Sequence, residues 1–132
     1  MRPKILIIDD ESGIRSLLVK VFSRAGYGVR TAAHARQAME LCASERFDAL
    51  ICDVRMPGMD GHELVRWAAR TYPEIRCILM TGFDDIDCQD CPYVSGCRYL
   101  GKPFGPTAVV TAVEAALRER PPAIRADGKS AT

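Results

Sequence analysis

Residues 49–61 read ALICDVRMPGMDG, an apolar run that stops at a single aspartate and passes into a turn. The run Ala49–Cys52 is short and uncharged, as expected of a strand that is covered on both faces of a parallel sheet. The proline and two glycines of MPGMDG (56–61) favour a change of chain direction directly after it. The stretch therefore predicts a buried strand that delivers one carboxylate, Asp53, to the edge of a sheet.

Four other segments carry strand patterns. They are Lys4–Ile8, the alternating residues Tyr27, Val29 and Thr31, then Cys77–Met80 and Tyr99-Leu100. Between the strands, apolar residues recur at helical spacing, and the clearest set is Ile14, Leu17, Leu18, Val21 and Phe22. Strands that alternate with helices of these lengths predict an α/β domain, with one open, doubly wound parallel sheet of five strands and helices on both faces.

Polar residues follow these strands at the point where each one ends. The carboxyl ends of parallel strands meet at one edge, and ligands bind in the crevice there. This edge would gather Asp9, Asp10, Asp53, Thr81 and Lys102. Clustered carboxylates repel one another unless a hard cation such as Mg²⁺ binds them, and an ammonium group can bind phosphoryl oxygens. Because a carboxylate can also accept a phosphoryl group covalently, the pattern predicts a site that forms and holds an aspartyl phosphate.

The blocks IIDDE, ICDVRMPGMDG, LMTG and YLGKPF resemble the signature blocks of the response-regulator receiver domain of two-component signalling. They occur in the order of that family, and the likeness extends over about residues 3–119. The resemblance implies a flavodoxin-like sheet with strand order 2-1-3-4-5 in a receiver domain over residues 1–120. The small, polar residues that follow predict a disordered tail over 121–132.

The resemblance also implies roles for single residues. It assigns the phosphoacceptor role to Asp53. The groups that it implies as Mg²⁺ ligands are Asp9, Asp10, Asp53 and the backbone carbonyl of Arg55. The residues that it implies for phosphoryl sensing and switching are Thr81, Tyr99 and Lys102. It further implies a sensor histidine kinase as donor, a downstream protein partner, a monomer or weak homodimer, and no catalysis beyond the chain's own phosphorylation and dephosphorylation.

Composition excludes several other classes of function. The chain has 132 residues, 48% of them hydrophobic and 27% charged, with a net charge of +1 and no basic block. It therefore carries no signature of a nucleic-acid or membrane partner, and the absence of a long apolar run favours a cytoplasmic protein. A dehalogenase-type phosphohydrolase needs an acidic residue two positions after its nucleophile, where this chain has Arg55.

A cysteine cluster lies in DDIDCQDCPYVSGCRYLGK, residues 84–102. Pro92 prevents a helix from continuing through Cys91, so we expect a shortened helix over about Asp84–Cys91 and then an irregular loop. The three thiols, Cys88, Cys91 and Cys97, fall short of the four ligands that are usual for structural zinc.

Three interpretations of this cluster stay open: a metal or iron–sulfur site, a disulfide or redox switch, and local packing. The alternative function is accordingly a receiver-fold redox or metal sensor that acts through the three thiols. The other cysteines stand in apolar contexts that predict core positions, at Cys42, Cys52 and Cys77.

Overall fold

The computed structural model describes residues 2–82, 91–94 and 97–125. Strands and helices alternate along these residues from β1 to β4, and a fifth strand and a last helix follow. The elements are β1 (Lys4–Ile8), α1 (Ser12–Arg24), β2 (Gly28–Ala32), α2 (Ala35–Ser44), β3 (Ala49–Asp53), α3 (Gly61–Thr71), β4 (Arg76–Thr81), β5 (Arg98–Gly101) and α4 (Pro106–Arg118).

The five strands form one parallel sheet in the order β2-β1-β3-β4-β5. This is the predicted fold class and strand order. In the register, Ile8 lies opposite Cys52 and Thr81 lies opposite Gly101. The chain therefore leaves β1, β3, β4 and β5 at the same edge of the sheet.

Two apolar layers cover the sheet, one on each face. Alternate residues of β1 point to opposite layers: Leu6 and Ile8 pack with α2 and α3, whereas Ile5 and Ile7 pack with α1 and α4. All five residues of β3 are buried. A strand covered on both faces has no polar side, which is why the residues before Asp53 form a continuous apolar run.

The predicted core cysteines are buried in these layers. Burial raises the pKa of the Cys42 thiol to about 11 and that of the Cys77 thiol to about 12. Cys52, on the central strand, is fully buried and its pKa is also raised, chiefly by burial. These three thiols are therefore protonated at neutral pH and act as small apolar core groups.

The chain between β4 and β5 is described only in part. Residues 91–94 are not helical, as Pro92 predicts. Of the helix predicted over about Asp84–Cys91, every residue except Cys91 lies outside the described residues, and so do residues 95 and 96 of the predicted loop.

The segment after α4 pairs with residues 91–94, whereas the sequence placed all of 121–132 in a disordered tail. Tyr93 and Ile124 form an antiparallel bridge, and the Val94 N–H donates to the Ala123 carbonyl at 3.0 Å. Ile124 also packs against the apolar layer that contains α2 and α3. Composition alone did not reveal this apolar partner, and residues 126–132 lie outside the described residues.

None of the helices in the described ranges is both long enough and apolar enough to cross a membrane.

Candidate functional site

Three carboxylates converge where β1 and β3 end. Oxygen atoms of Asp9, Asp10 and Asp53 lie within 4.8 Å of one another. Asp9 is fully buried and Asp53 is 7% exposed, whereas Asp10 faces solvent. The cluster forms because Ile8 and Cys52 are paired neighbours in the sheet, so the residues that follow them leave side by side.

Asp9 is held from three directions. Its Oδ1 accepts a hydrogen bond from the Glu11 N–H at 2.9 Å, and its own N–H donates to the Ala32 carbonyl at 3.2 Å. The Arg15 guanidinium donates to the Asp9 carbonyl at 2.8 Å. The turn between β1 and α1 is therefore ordered by contacts made by its own acidic residue.

Asp53 is positioned by the start of α3, which packs directly against its backbone. The Gly61 N–H donates to the Val54 carbonyl at 2.9 Å. A Cβ added at Gly61 would lie only 2.4 Å from the Asp53 carbonyl oxygen, so any larger residue would displace one of the two elements. The helix start is fixed by a capping box in which Asp60 and Glu63 each accept from the other's backbone N–H.

Lys102 closes the site from the side of β5. Its N–H donates to the Thr81 carbonyl at 2.7 Å, which ties the end of β5 to the end of β4. Its ammonium nitrogen lies 3.2 Å from Asp53 Oδ2 and 3.4 Å from Asp9 Oδ2. With 21% of its side chain exposed, Lys102 bridges the two buried carboxylates.

Burial and charge shift the ionisation of these groups. Burial raises the pKa of the Asp53 carboxyl and the Asp9 carboxylate raises it further, which outweighs the lowering by Lys102 and the Arg55 N–H. Burial lowers the pKa of the Lys102 ammonium, but the carboxylates of Asp9 and Asp53 raise it by more, so its net pKa is raised. Three carboxylates beside one ammonium leave the site with negative charge to neutralise.

The donor set fits a hard divalent cation. Carboxylate and carbonyl oxygens are the ligands that Mg²⁺ prefers. A cavity of about 280 Å³ opens beside the cluster and is lined by Asp10, Asp53, Arg55, Thr81 and Lys102, among others. Within the described residues, these three aspartates are the only group of three or more acidic, histidine or cysteine side chains spaced to hold a metal ion.

The predicted switch residues occupy the ends of β4 and β5. Thr81 is buried at the end of β4 and lines the cavity. Tyr99 lies on β5, outside the cavity lining, and its ring meets that of His62 edge to face at 5.9 Å between centroids. The structure thus brings six predicted residues together, Asp9, Asp10, Asp53, Arg55, Thr81 and Lys102, and sets Tyr99 against α3.

Two contributions were not predicted from the sequence. Gly61 was interpreted only as a turn residue, although it is the point where α3 touches the Asp53 backbone. His62 contacts Tyr99, and nothing in its local sequence signals this. Both depend on how α3 packs against the sheet.

The cysteine cluster is separate from the carboxylates. The Cys91 and Cys97 sulfurs lie 3.2 Å apart, and both side chains are partly buried. Cys88 lies outside the described residues. In the part of the chain that the structure describes, these two sulfurs have no third metal ligand near them.

Comparisons with known proteins agree with this geometry. The family described as response regulator receiver domain matches residues 5–114. The sporulation initiation phosphotransferase F of Bacillus subtilis is 38% identical over 105 residues, which cover 79% of this chain and 85% of that protein. The DNA-binding transcriptional regulator NtrC of Escherichia coli is 35% identical over 114 residues, which cover 86% of this chain but only 24% of that protein.

Among solved structures, the chemotaxis protein CheY4 of Vibrio cholerae matches with a TM-score of 0.81 and 30% identity, and the match covers 89% of this chain and 100% of that one. A CheY-like receiver domain protein of Methanospirillum hungatei matches with a TM-score of 0.82 and 26% identity, over 89% of this chain and 95% of that one.

Proposed function

Because the chain belongs to the response regulator receiver domain family, we propose that Asp53 accepts a phosphoryl group from the phosphohistidine of a sensor kinase. Members of this family act in phosphorelay signalling. The observation that carries the proposal is the position of Asp53: its carboxylate is 3.2 Å from the Lys102 ammonium and borders an open cavity. A carboxylate oxygen of Asp53 would form the new P–O bond as the donor's P–N bond breaks, and the donor imidazole would keep the electron pair.

Mg²⁺ binding is the second part of the proposal. The groups that would hold the ion are Asp9, Asp10, Asp53 and the backbone carbonyl of Arg55. When bound, the ion supplies positive charge that lets the carboxylates and an incoming phosphoryl group lie close together. The buried Asp9 is suited to this role because its turn is already ordered by three hydrogen bonds.

Lys102 and Thr81 would hold the phosphoryl group once it has been transferred. The Lys102 ammonium already contacts the acceptor carboxylate, so a small movement would bring it to a phosphoryl oxygen. Thr81 lines the same cavity, and a threonine hydroxyl can donate to another of these oxygens. Tyr99 lies on β5, the strand that leads to Lys102, and its ring contacts His62 of α3. A shift of β5 would therefore move the Tyr99 ring relative to His62.

We propose that the signal then leaves through a protein partner or through transfer to another protein. In this account the chain catalyses only its own phosphorylation and dephosphorylation. A metal or redox sensor that replaces phosphorylation is not favoured, because Asp9, Asp10 and Asp53 lie together as phosphoryl acceptance would require and the described thiols lie elsewhere.

Intact-mass spectrometry with a small phosphodonor tests the assignment. We expect a gain of one phosphoryl group in Mg²⁺, no gain in excess chelator, and no gain for Asp53→Asn. Asp60→Asn is the matched control, because it also removes a carboxylate but keeps a good helix cap. A phosphoryl group that survives Asp53→Asn, or that forms undiminished in chelator, would overturn the proposal.

Lys102→Ala separates phosphoryl sensing from cation binding. Because Lys102 competes with a cation for Asp9 and Asp53, the variant should bind Mg²⁺ at least as tightly as the wild type. Its phosphorylated form should lack the conformational response, which can be followed by chemical-shift changes around Tyr99. Loss of Mg²⁺ binding together with a normal response would show that the roles are misassigned.

A further inference from the structure

Cys91 and Cys97 form a thiol pair on the segment that precedes β5. Their sulfurs are 3.2 Å apart, a hydrogen-bonding contact that is longer than a covalent bond. A disulfide requires a sulfur–sulfur distance of about 2.05 Å, so bond formation needs an approach of only about 1 Å. Both side chains are partly exposed, which leaves them open to small reagents.

A positively charged cavity lies beside this pair. It has a volume of about 280 Å³ and is lined by Cys97 together with Arg76, Arg98 and Arg120. Glu119 pairs with Arg98 at 2.5 Å, so one carboxylate faces three guanidinium groups. Arg76 and Arg98 are the first residues of β4 and β5, which places this cavity at the sheet edge opposite Asp53.

We propose that Cys91 and Cys97 are a redox modification site, oxidised to a disulfide by small anionic disulfides that enter through the arginine-lined cavity. The Cys97 thiolate attacks one sulfur of the reagent, forming a mixed disulfide and releasing one thiolate. The Cys91 thiolate then attacks the Cys97 sulfur, forming the Cys91–Cys97 bond and releasing the second thiolate. Two protein thiols lose two electrons and two protons, and the reagent is reduced to two thiols.

The alternatives within the described residues fit less well. Cys77 lines the same cavity, but it is buried and its thiol has a pKa raised to about 12, so it carries little thiolate. Cys97 is instead in direct sulfur–sulfur contact with Cys91. The pair thus suits bond formation between its own two sulfurs.

A Cys91–Cys97 disulfide would link the segment that pairs with residues 123–125 to the start of β5. Cys91 belongs to the segment that pairs with residues 123–125, and the Arg125 guanidinium donates to the Cys91 carbonyl at 3.1 Å. Cys97 directly precedes β5, which leads to Tyr99 and Lys102. Oxidation would therefore tie the segment after α4 to the start of β5 without touching the carboxylate site.

Thiol counting on the full chain tests the proposal. Reduced protein is incubated with oxidised glutathione, quenched in acid, unfolded and alkylated, and the alkylated thiols are counted by intact mass. We expect the wild type to fall from six free thiols to four, and Cys88→Ser to lose two thiols at the same rate. Cys91→Ser should stop at a mixed disulfide with one glutathione.

Two results would overturn the proposal. One is a Cys88→Ser protein that keeps all its thiols while the wild type loses two, which would show that Cys88 is a partner in the bond. The other is a Cys97→Ser or Cys97→Ala protein that forms an internal disulfide as fast as the wild type. Failure of either kind leaves phosphorylation of Asp53 untouched, so the two proposals are tested separately.

Discussion

Charge balance among Asp9, Asp53 and Lys102 explains the properties of the site. Two buried carboxylates would repel each other, and one ammonium between them offsets only part of this cost. The remaining negative charge favours binding of a cation. Burial and then the Asp9 carboxylate raise the pKa of Asp53, because both make its ionised form less stable. A buried carboxylate whose ionised form is disfavoured by its surroundings is suited to bind a positively charged ligand, which stabilises that form.

Neutralising Asp53 should therefore stabilise the cation-free protein. Its raised folded-state pKa means that the native state binds this proton more tightly than the unfolded chain, so ionisation costs stability as the pH rises through the folded pKa. In chelator at pH 7, Asp53→Asn should therefore raise the free energy of unfolding. The gain should vanish below the ordinary aspartate pKa of about 3.9.

Urea unfolding of the wild type and Asp53→Asn, at pH 7 and at a pH below about 3.9, measures the difference in their free energies of unfolding. Added Mg²⁺ should stabilise the wild type more than Asp53→Asn, since binding to the native state raises its stability. An advantage of Asp53→Asn that is absent at pH 7 and grows in acid would contradict the pKa direction.

Contacts between elements decide where the site residues lie. The start of α3 touches the Asp53 backbone at Gly61, and β5 is tied to β4 through the Lys102 N–H and the Thr81 carbonyl. At the other edge, residues 91–94 pair with 123–125. Each contact joins two separate elements or segments, so each can be tested by a change that leaves the site's side chains in place.

Gly61→Ala tests the contact between α3 and the end of β3. The added Cβ would meet backbone atoms of Asp53 and Val54 at 2.4–3.0 Å, and backbone cannot move aside as a side chain can. We expect a loss of about 1–3 kcal/mol in the free energy of unfolding, with slower phosphorylation of Asp53. Gly13→Ala is the control, because a Cβ there has no neighbour within 4 Å. Equal stability of the two variants would refute the contact.

Truncation tests the pairing of the segment after α4. A chain ending at Arg120 loses three hydrogen bonds between residues 91–94 and 123–125. The Val94 N–H donates one of them, and the N–H and the guanidinium of Arg125 donate the other two. Its free energy of unfolding should be about 1–3 kcal/mol lower than that of a chain ending at Arg125, since each hydrogen bond contributes about 1 kcal/mol. Equal values from urea unfolding would show that the pairing contributes nothing.

The sequence predicted those features that a strand or its end carries by itself. The apolar run of β3 and the position of Asp53 after it follow from burial on both faces. The meeting of Asp9, Thr81 and Lys102 follows from the parallel arrangement of the strands. The close approach at Gly61 and the Tyr93–Ile124 bridge could not be predicted, because they arise from packing between separate elements and leave no local periodicity.

Across the whole molecule, β5 runs between two chemically different edges of the sheet. Its start follows Cys97 beside the arginine-lined cavity, and its end leads to Lys102 beside the carboxylates. One strand of four residues, Arg98–Gly101, therefore separates the proposed phosphoryl site from the proposed redox site. Tyr99 lies on this strand, so a displacement of β5 from either end would reach its contact with His62.

Chemical identification of the phosphorylated residue tests the proposed function most directly. Borohydride reduces an aspartyl phosphate to homoserine, and after digestion with trypsin the modified residue is identified by fragmentation. The peptide of residues 47–55 contains both Asp48 and Asp53, so Asp48 is an internal control. We expect homoserine at position 53 alone, and only after phosphorylation in Mg²⁺. Homoserine at Asp48, or at Asp9 or Asp10 in the peptide of residues 5–15, would contradict the assignment of Asp53 as the acceptor.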